Sequence, residues 1–115
     1  MTGRSIEELN QRWESLASSD MPEVMKWLRD MLRACEAERV EVPNRDHVAS
    51  RIGMAYHILP DPDLSTSIPV DAEERTRWIL ALCVNTLIAP GINMYGITAF
   101  AADAWLNEHG HGDKQ

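Results

Sequence analysis

A chain of 115 residues is long enough for one domain with its own apolar core, and 44% hydrophobic with 25% charged residues are globular proportions. Its formal net charge of -7 argues against non-specific attachment to nucleic acid or anionic membranes, which depends on Lys and Arg neutralising phosphate. The 18 acids are spread without a run, so the charge reads as a hydrated surface rather than a nucleic-acid mimic.

The first stretch, "SIEELNQRWESLAS", places Ser5 three residues before Glu8, a capping-box pattern. Ile6, Leu9, Trp13 and Leu16 follow on one helical stripe, which predicts a first helix over residues 6–18. "SSDMPEVMKWLRDMLRACEAE" repeats the signal with Asp20, Pro22 in the first turn and Glu23. Val24, Leu28, Met31 and Cys35 line its apolar face, and Trp27 and Leu32 widen it.

"RVEVPNR" is too short for a strand, because Pro43 follows two valines. Asn44 is then placed to cap a third helix over residues 45–59, with Val48, Ile52, Ala55 and Leu59 as its apolar face and Pro60 as its stop. Within it, Ala49 and Gly53 are spaced like the small residue and turn glycine of a helix-turn-helix DNA reader. The following "MAYHILPDPD" puts Pro60 and Pro62 where a recognition helix would have to run, and Asp61 and Asp63 where phosphate would lie. Gly53 therefore reads as a packing glycine inside one helix.

"PDPDLSTSIPVD" carries Pro60, Pro62 and Pro69 and forms the longest irregular segment. Its oxygens at Asp61, Asp63 and Ser65 begin like a calcium loop, but Thr66 and Ala72 stand where a glycine and a bidentate Glu are required. Beyond it, Asp71 and Glu74 cap a fourth helix, "AEERTRWILALCVNTLIA". Residues 78–84, "WILALCV", are apolar for two turns, so the helix must be surrounded there, with Leu82 in the middle of the run. Pro90–Gly91 breaks it. "INMYGITAFAADAWLNEHG" makes the fifth helix, stopped at Gly110, and residues 110–115 read as a flexible polar tail.

The 25 residues from Trp78 to Ala102 hold no charge and match a membrane span in length. Asn85, Thr86, Asn93, Thr98 and the Pro90–Gly91 break assign them instead to two core helices. The expectation is an all-α, five-helix single domain over residues 1–115 with the fourth and fifth helices at its apolar centre. Trp78 and Trp105 are expected inside it.

Chemistry is harder to find. His47 and His57 point to different faces of one helix, while His109 and His111 lie at the polar end with no Cys–His or HExxH pattern. No GxSxG, P-loop or GxGxxG occurs. Neither an enzyme nor a cofactor or metal centre is therefore expected. Cys35 and Cys83, the only cysteines, suit a reducing cytosol, and the N-terminus lacks the apolar segment of a signal peptide.

Small size, acidity and four tryptophans together predict a cytoplasmic factor that acts by occupying a larger protein partner, without direct nucleic-acid or membrane binding. It would be an inhibitor, an immunity or antitoxin-like protein or an assembly adaptor, of the kind phages and mobile elements encode; a partner with a basic, nucleic-acid-handling surface would suit the charge. Asp61, Asp63 and Leu64 in the proline loop, with Trp13 and Trp27, are the candidate contact residues; homo-oligomer formation is compatible with the pattern. The alternatives are a small-ligand-binding bundle or accessory enzyme subunit with a pocket beside Asn85, Thr86 and Asn93, and a nucleic-acid-binding regulator.

Overall fold

The computed structural model describes residues 6–13, 15, 20–60 and 67–110. It contains five helices, α1 (Ile6–Asn10), α2 (Met21–Glu38), α3 (Arg45–Tyr56), α4 (Ala72–Ile88) and α5 (Tyr95–Glu108), and no strand among the described residues. The chain is all-α, as the periodicity predicts. The tail 111–115, the capping Ser5 and the loop residues Asp61, Asp63 and Leu64 lie outside the described residues.

Helix starts follow the sequence signals unevenly. At α4 the Asp71 carboxylate accepts from the Glu74 amide at 3.1 Å, the predicted cap. Asp20 stands at the α2 N-cap, but its side chain makes no capping bond. Asn44 precedes α3 in the left-handed region and donates to the Asn10 side chain at 3.3 Å instead of capping. The regular part of α1 ends at Asn10, short of the expected 6–18: the Arg12 amide bonds to the Leu9 carbonyl, a three-residue step that tightens the turn. Residues 16–18 are not among those described.

The third helix is also shorter than expected. It stops at Tyr56, because His57 turns left-handed (φ 57°) and the Ile58 amide folds back onto the Gly53 carbonyl at 2.8 Å. This is a Schellman closure, with Ile58 buried where the chain turns inward. Leu59, expected on the apolar face, is 80% exposed. A Cβ on Gly53 would sit 2.8 Å from the Ile58 carbonyl oxygen, so the glycine serves the fold-back rather than helix-to-helix packing. The same closure ends α2, where Arg39 is left-handed (φ 60°) and the Val40 amide reaches the Cys35 carbonyl at 3.0 Å.

In the principal packing order, α1 lies on α2, α2 on α5, α5 on α4, and α4 on α3. The most extensive pairing is that of α2 with α5, so the apolar centre runs through these two helices, with Val24, Met25, Leu28, Met31 and Leu32 of α2 all buried, and continues into α4. Around Leu82 the fourth helix is less enclosed than "WILALCV" suggests: Leu80, Cys83 and Leu87 are buried, whereas Trp78 and Leu82 are half-buried. No described helix is long and apolar enough to cross a membrane.

Polar links then fix the register of the layers. Tyr95 is fully buried and its hydroxyl accepts from the Val42 amide at 3.0 Å. The Thr86 and Thr98 hydroxyls meet at 2.7 Å between α4 and α5. Arg29, buried in α2, donates to Asp30 at 3.0 Å and to Asp103 of α5 at 3.2 Å. A buried cation is tolerable only when paired in this way.

Candidate functional site: the outer face of α3

α3 forms the outer layer, and its sequence explains what it leaves outside. Val48, Ala49 and Ile52 face the core, while Asp46, His47, Ser50, Met54 and His57 lie on the solvent side. Met54 is the apolar exception on that side, and it is 76% exposed. The helix stands as a ridge with a groove along each flank.

The first groove, about 620 Å³, runs between α3, the segment Ile58–Pro60 and the last turns of α4; Ala49, Gly53, Met54, Leu59, Val84 and Ile88 give it an apolar lining. Asp46, Ser50 and His57 supply polar groups along it. The second groove, about 580 Å³, lies between Trp13 and the opposite flank, with His47, Ser50, Arg51, Met54 and Ala55. There the Arg51 guanidinium sits 5.2 Å from the Trp13 ring centre, and His47 lies tilted at 6.1 Å. A cation over an indole face is a favourable contact that holds both side chains in place. Ser50 and Met54 belong to both grooves, so the ridge and its flanks form one continuous surface.

Two arginines hold this ridge against α4. From the first residue of α3, Arg45 donates to the Leu87 and Ile88 carbonyls at 3.0 Å each, and to Ala89 at 3.4 Å, closing the C-terminal end of α4. Near the start of α4, Arg77 donates to the Tyr56 and His57 carbonyls at 3.3 and 2.9 Å, closing the C-terminal end of α3. Helix ends leave carbonyls unpaired and carry partial negative charge, so each guanidinium answers both needs.

Of the five residues singled out in the sequence, the structure places two. Trp13 is half-buried and lines the second groove. Trp27 is 3% exposed, with its indole N–H donating to the Leu9 carbonyl at 2.7 Å. It therefore packs α1 onto α2 and offers no surface to a partner. Asp61, Asp63 and Leu64 follow Pro60 in the sequence but lie outside the described residues. Met54, Ile88 and Leu59 were not singled out; their signal is an apolar residue on a helix flank or beside a proline, which reads equally well as packing.

Other candidates resolve into structure. Thr86 is committed to Thr98, Asn93 is exposed in the turn before α5, and Asn85 is half-buried, so these three line neither groove. Trp105 is buried and donates to Thr76 at 2.7 Å, while His109 stacks on it at 4.0 Å. The indole nitrogen of half-buried Trp78 is enclosed without a hydrogen-bond partner among the described residues. No cluster of three His, Cys, Asp or Glu side chains suited to a metal occurs among the described residues. Burial raises the Cys83 thiol to about 12; burial, with Glu38 adding, raises that of Cys35 to about 11. Both remain neutral thiols at physiological pH, and a neutral thiol is a poor nucleophile.

Compared with known protein families, curated proteins and solved structures, the chain matches none.

Proposed function

We propose that the protein is a small cytoplasmic binding factor that acts by occupying a larger protein partner, through the ridge of α3 and its two grooves. The carrying observation is Met54, exposed on the crest between an apolar groove and the Trp13–Arg51 pair. An unbranched thioether on such a crest adapts its shape to a partner surface. Trp and Arg are the side chains most often responsible for affinity at interfaces. Asp46 on one flank and Arg51 on the other would set the register of the partner, while the net charge of -7 would steer approach to a basic surface. An inhibitor, an immunity protein or an assembly adaptor each fits this mode of action.

A second reading attaches to the first groove alone, whose 620 Å³ falls within the range of small-molecule sites. An apolar ligand there would raise the melting temperature and be lost in Ser50→Trp, whose exposed position on the groove lets the indole cover it.

The test of the main reading is capture from the native host with the wild-type protein, Met54→Glu and Trp13→Ser. One partner retained by the wild type and lost from both variants, with their circular dichroism unchanged, supports the ridge. Equal capture by all three overturns it.

A further inference from the structure

α5 carries a second apolar surface, remote from the α3 ridge in the packing order, and its pattern differs from that of a core helix. Met94, Ile97, Ala101, Ala104 and Glu108 recur at intervals of three, four, three and four residues. That is the spacing of a coiled-coil seam. The seam points outward: Ile97 is 60% exposed, Met94 and Ala104 are exposed and Ala101 is half-buried. Phe100 stands beside it at 70% exposure. The opposite side of α5 is fully occupied by α2 and α4 through Tyr95, Ala99, Ala102 and Leu106. Asp103, elsewhere on α5, is already held by Arg29 and Arg33 at 3.2 and 3.6 Å.

The seam is graded, with large side chains in its N-terminal half and alanines in its C-terminal half. A second α5 running antiparallel complements it: Met94 of one copy meets Ala104 of the other, and Ile97 meets Ala101. The two Phe100 rings then flank the two-fold axis. A parallel arrangement would set large on large at one end and leave a gap at the other. Charge favours the same direction. α5 begins without an acidic residue in its first turn or a side-chain cap, and ends on Glu108, a half-exposed carboxylate held by Arg75 at 2.9 Å. Antiparallel pairing brings each Glu108 toward the positive end of the other helix.

We propose that the protein forms a two-fold symmetric homodimer through antiparallel packing of α5 on α5. The exposed part of the seam rests chiefly on Met94, Ile97 and Phe100, at 43, 60 and 70% exposure, a small patch beside the roughly 800 Å² per partner of a standard stable interface. The dimer is accordingly weak, with dissociation in the micromolar range, and two-fold closure prevents further growth.

Sedimentation equilibrium between about 1 and 500 μM tests this directly. The expected mass rises from 13.0 kDa toward twice that value with concentration. Phe100→Ser, Met94→Lys and Ala104→Glu, each folded by circular dichroism, are expected to remain monomeric. Mixing Met94→Lys with Ala104→Glu should restore a dimer, because the antiparallel register sets the new opposite charges together. A monomeric wild type at the highest concentration overturns the proposal, as does a dimer indifferent to all three substitutions. Failure of the mixed pair to associate overturns the antiparallel register.

Discussion

Arg45 and Arg77 stand at opposite ends of the α3–α4 pair, and each guanidinium closes the C-terminal end of the helix to which the other belongs. The ridge that we assign to partner binding is thereby fixed at both ends by main-chain contacts that involve none of its exposed side chains. Arg45→Ala is expected to lower stability by about 1–2 kcal/mol and Arg77→Ala by about 1 kcal/mol. Urea unfolding of the single and double variants measures this. Losses within a few tenths of a kcal/mol of zero would show that water caps these helix ends equally well.

The core prediction separates two neighbours on α4. Leu80 is buried, so Leu80→Asp places an unpaired carboxylate inside, at a cost of several kcal/mol, comparable with the stability of a small domain. Leu82, in the middle of the same apolar run, is half-buried, so Leu82→Asp should leave a folded, cooperatively melting protein. Thermal melts distinguish them, and a Leu82→Asp protein that fails to fold would show that face to be enclosed.

The end of α3 allows a prediction of opposite signs four residues apart. His57 holds a left-handed conformation that costs an ordinary residue about 1 kcal/mol, so His57→Gly should stabilise by about that amount. The contact from Arg77 goes to the His57 carbonyl and survives the change. Gly53→Ala would gain about 1 kcal/mol in an open helix, but here the added methyl meets the Ile58 carbonyl at 2.8 Å. It should lose about 1–3 kcal/mol instead. A stabilised Gly53→Ala protein would mean that the fold-back yields easily.

Stability should also fall in alkali. In the unfolded chain the thiols release their protons near their ordinary value of 9.0, whereas in the folded protein burial holds Cys35 to about 11 and Cys83 to about 12. Burial also raises the Tyr95 hydroxyl, with smaller opposing contributions from Val42 and Arg45. The folded state therefore binds more protons above pH 9, and the stability present below that pH is progressively lost through pH 11 and 12. Urea midpoints from pH 8 to 11 should decline, and Cys83→Ala should flatten the decline. At neutral pH a thiol reagent should modify neither cysteine until the protein is unfolded.

These features were unequally legible in the sequence. The positions of α2 and α4 could be read because their signals are local: an Asp before the first turn and an apolar side chain every three or four residues. The end of α3 could not, since Pro60 is the only local stop and the true stop at His57 depends on where Ile58 and Arg77 lie. Trp27 and Trp13 look alike in sequence, each on an amphipathic stripe. What separates them is the Leu9 carbonyl, which draws the Trp27 indole inward, and the Arg51 guanidinium, which holds Trp13 at the rim. Met54 was silent because a methionine on a short helix with charges on several sides has no preferred reading until its neighbours are placed.

Hydroxyl-radical footprinting of the protein alone and bound to its captured partner tests the assignment of the α3 ridge most directly. Met54 and Trp13 are oxidisable and on the proposed surface, while Met94 on α5, at protein concentrations low enough to keep the chain monomeric, serves as an internal reference. The account predicts that oxidation of Met54 and Trp13 falls several-fold in the complex while Met94 keeps its free rate. Met54 oxidising in the complex as fast as in the free protein would contradict it.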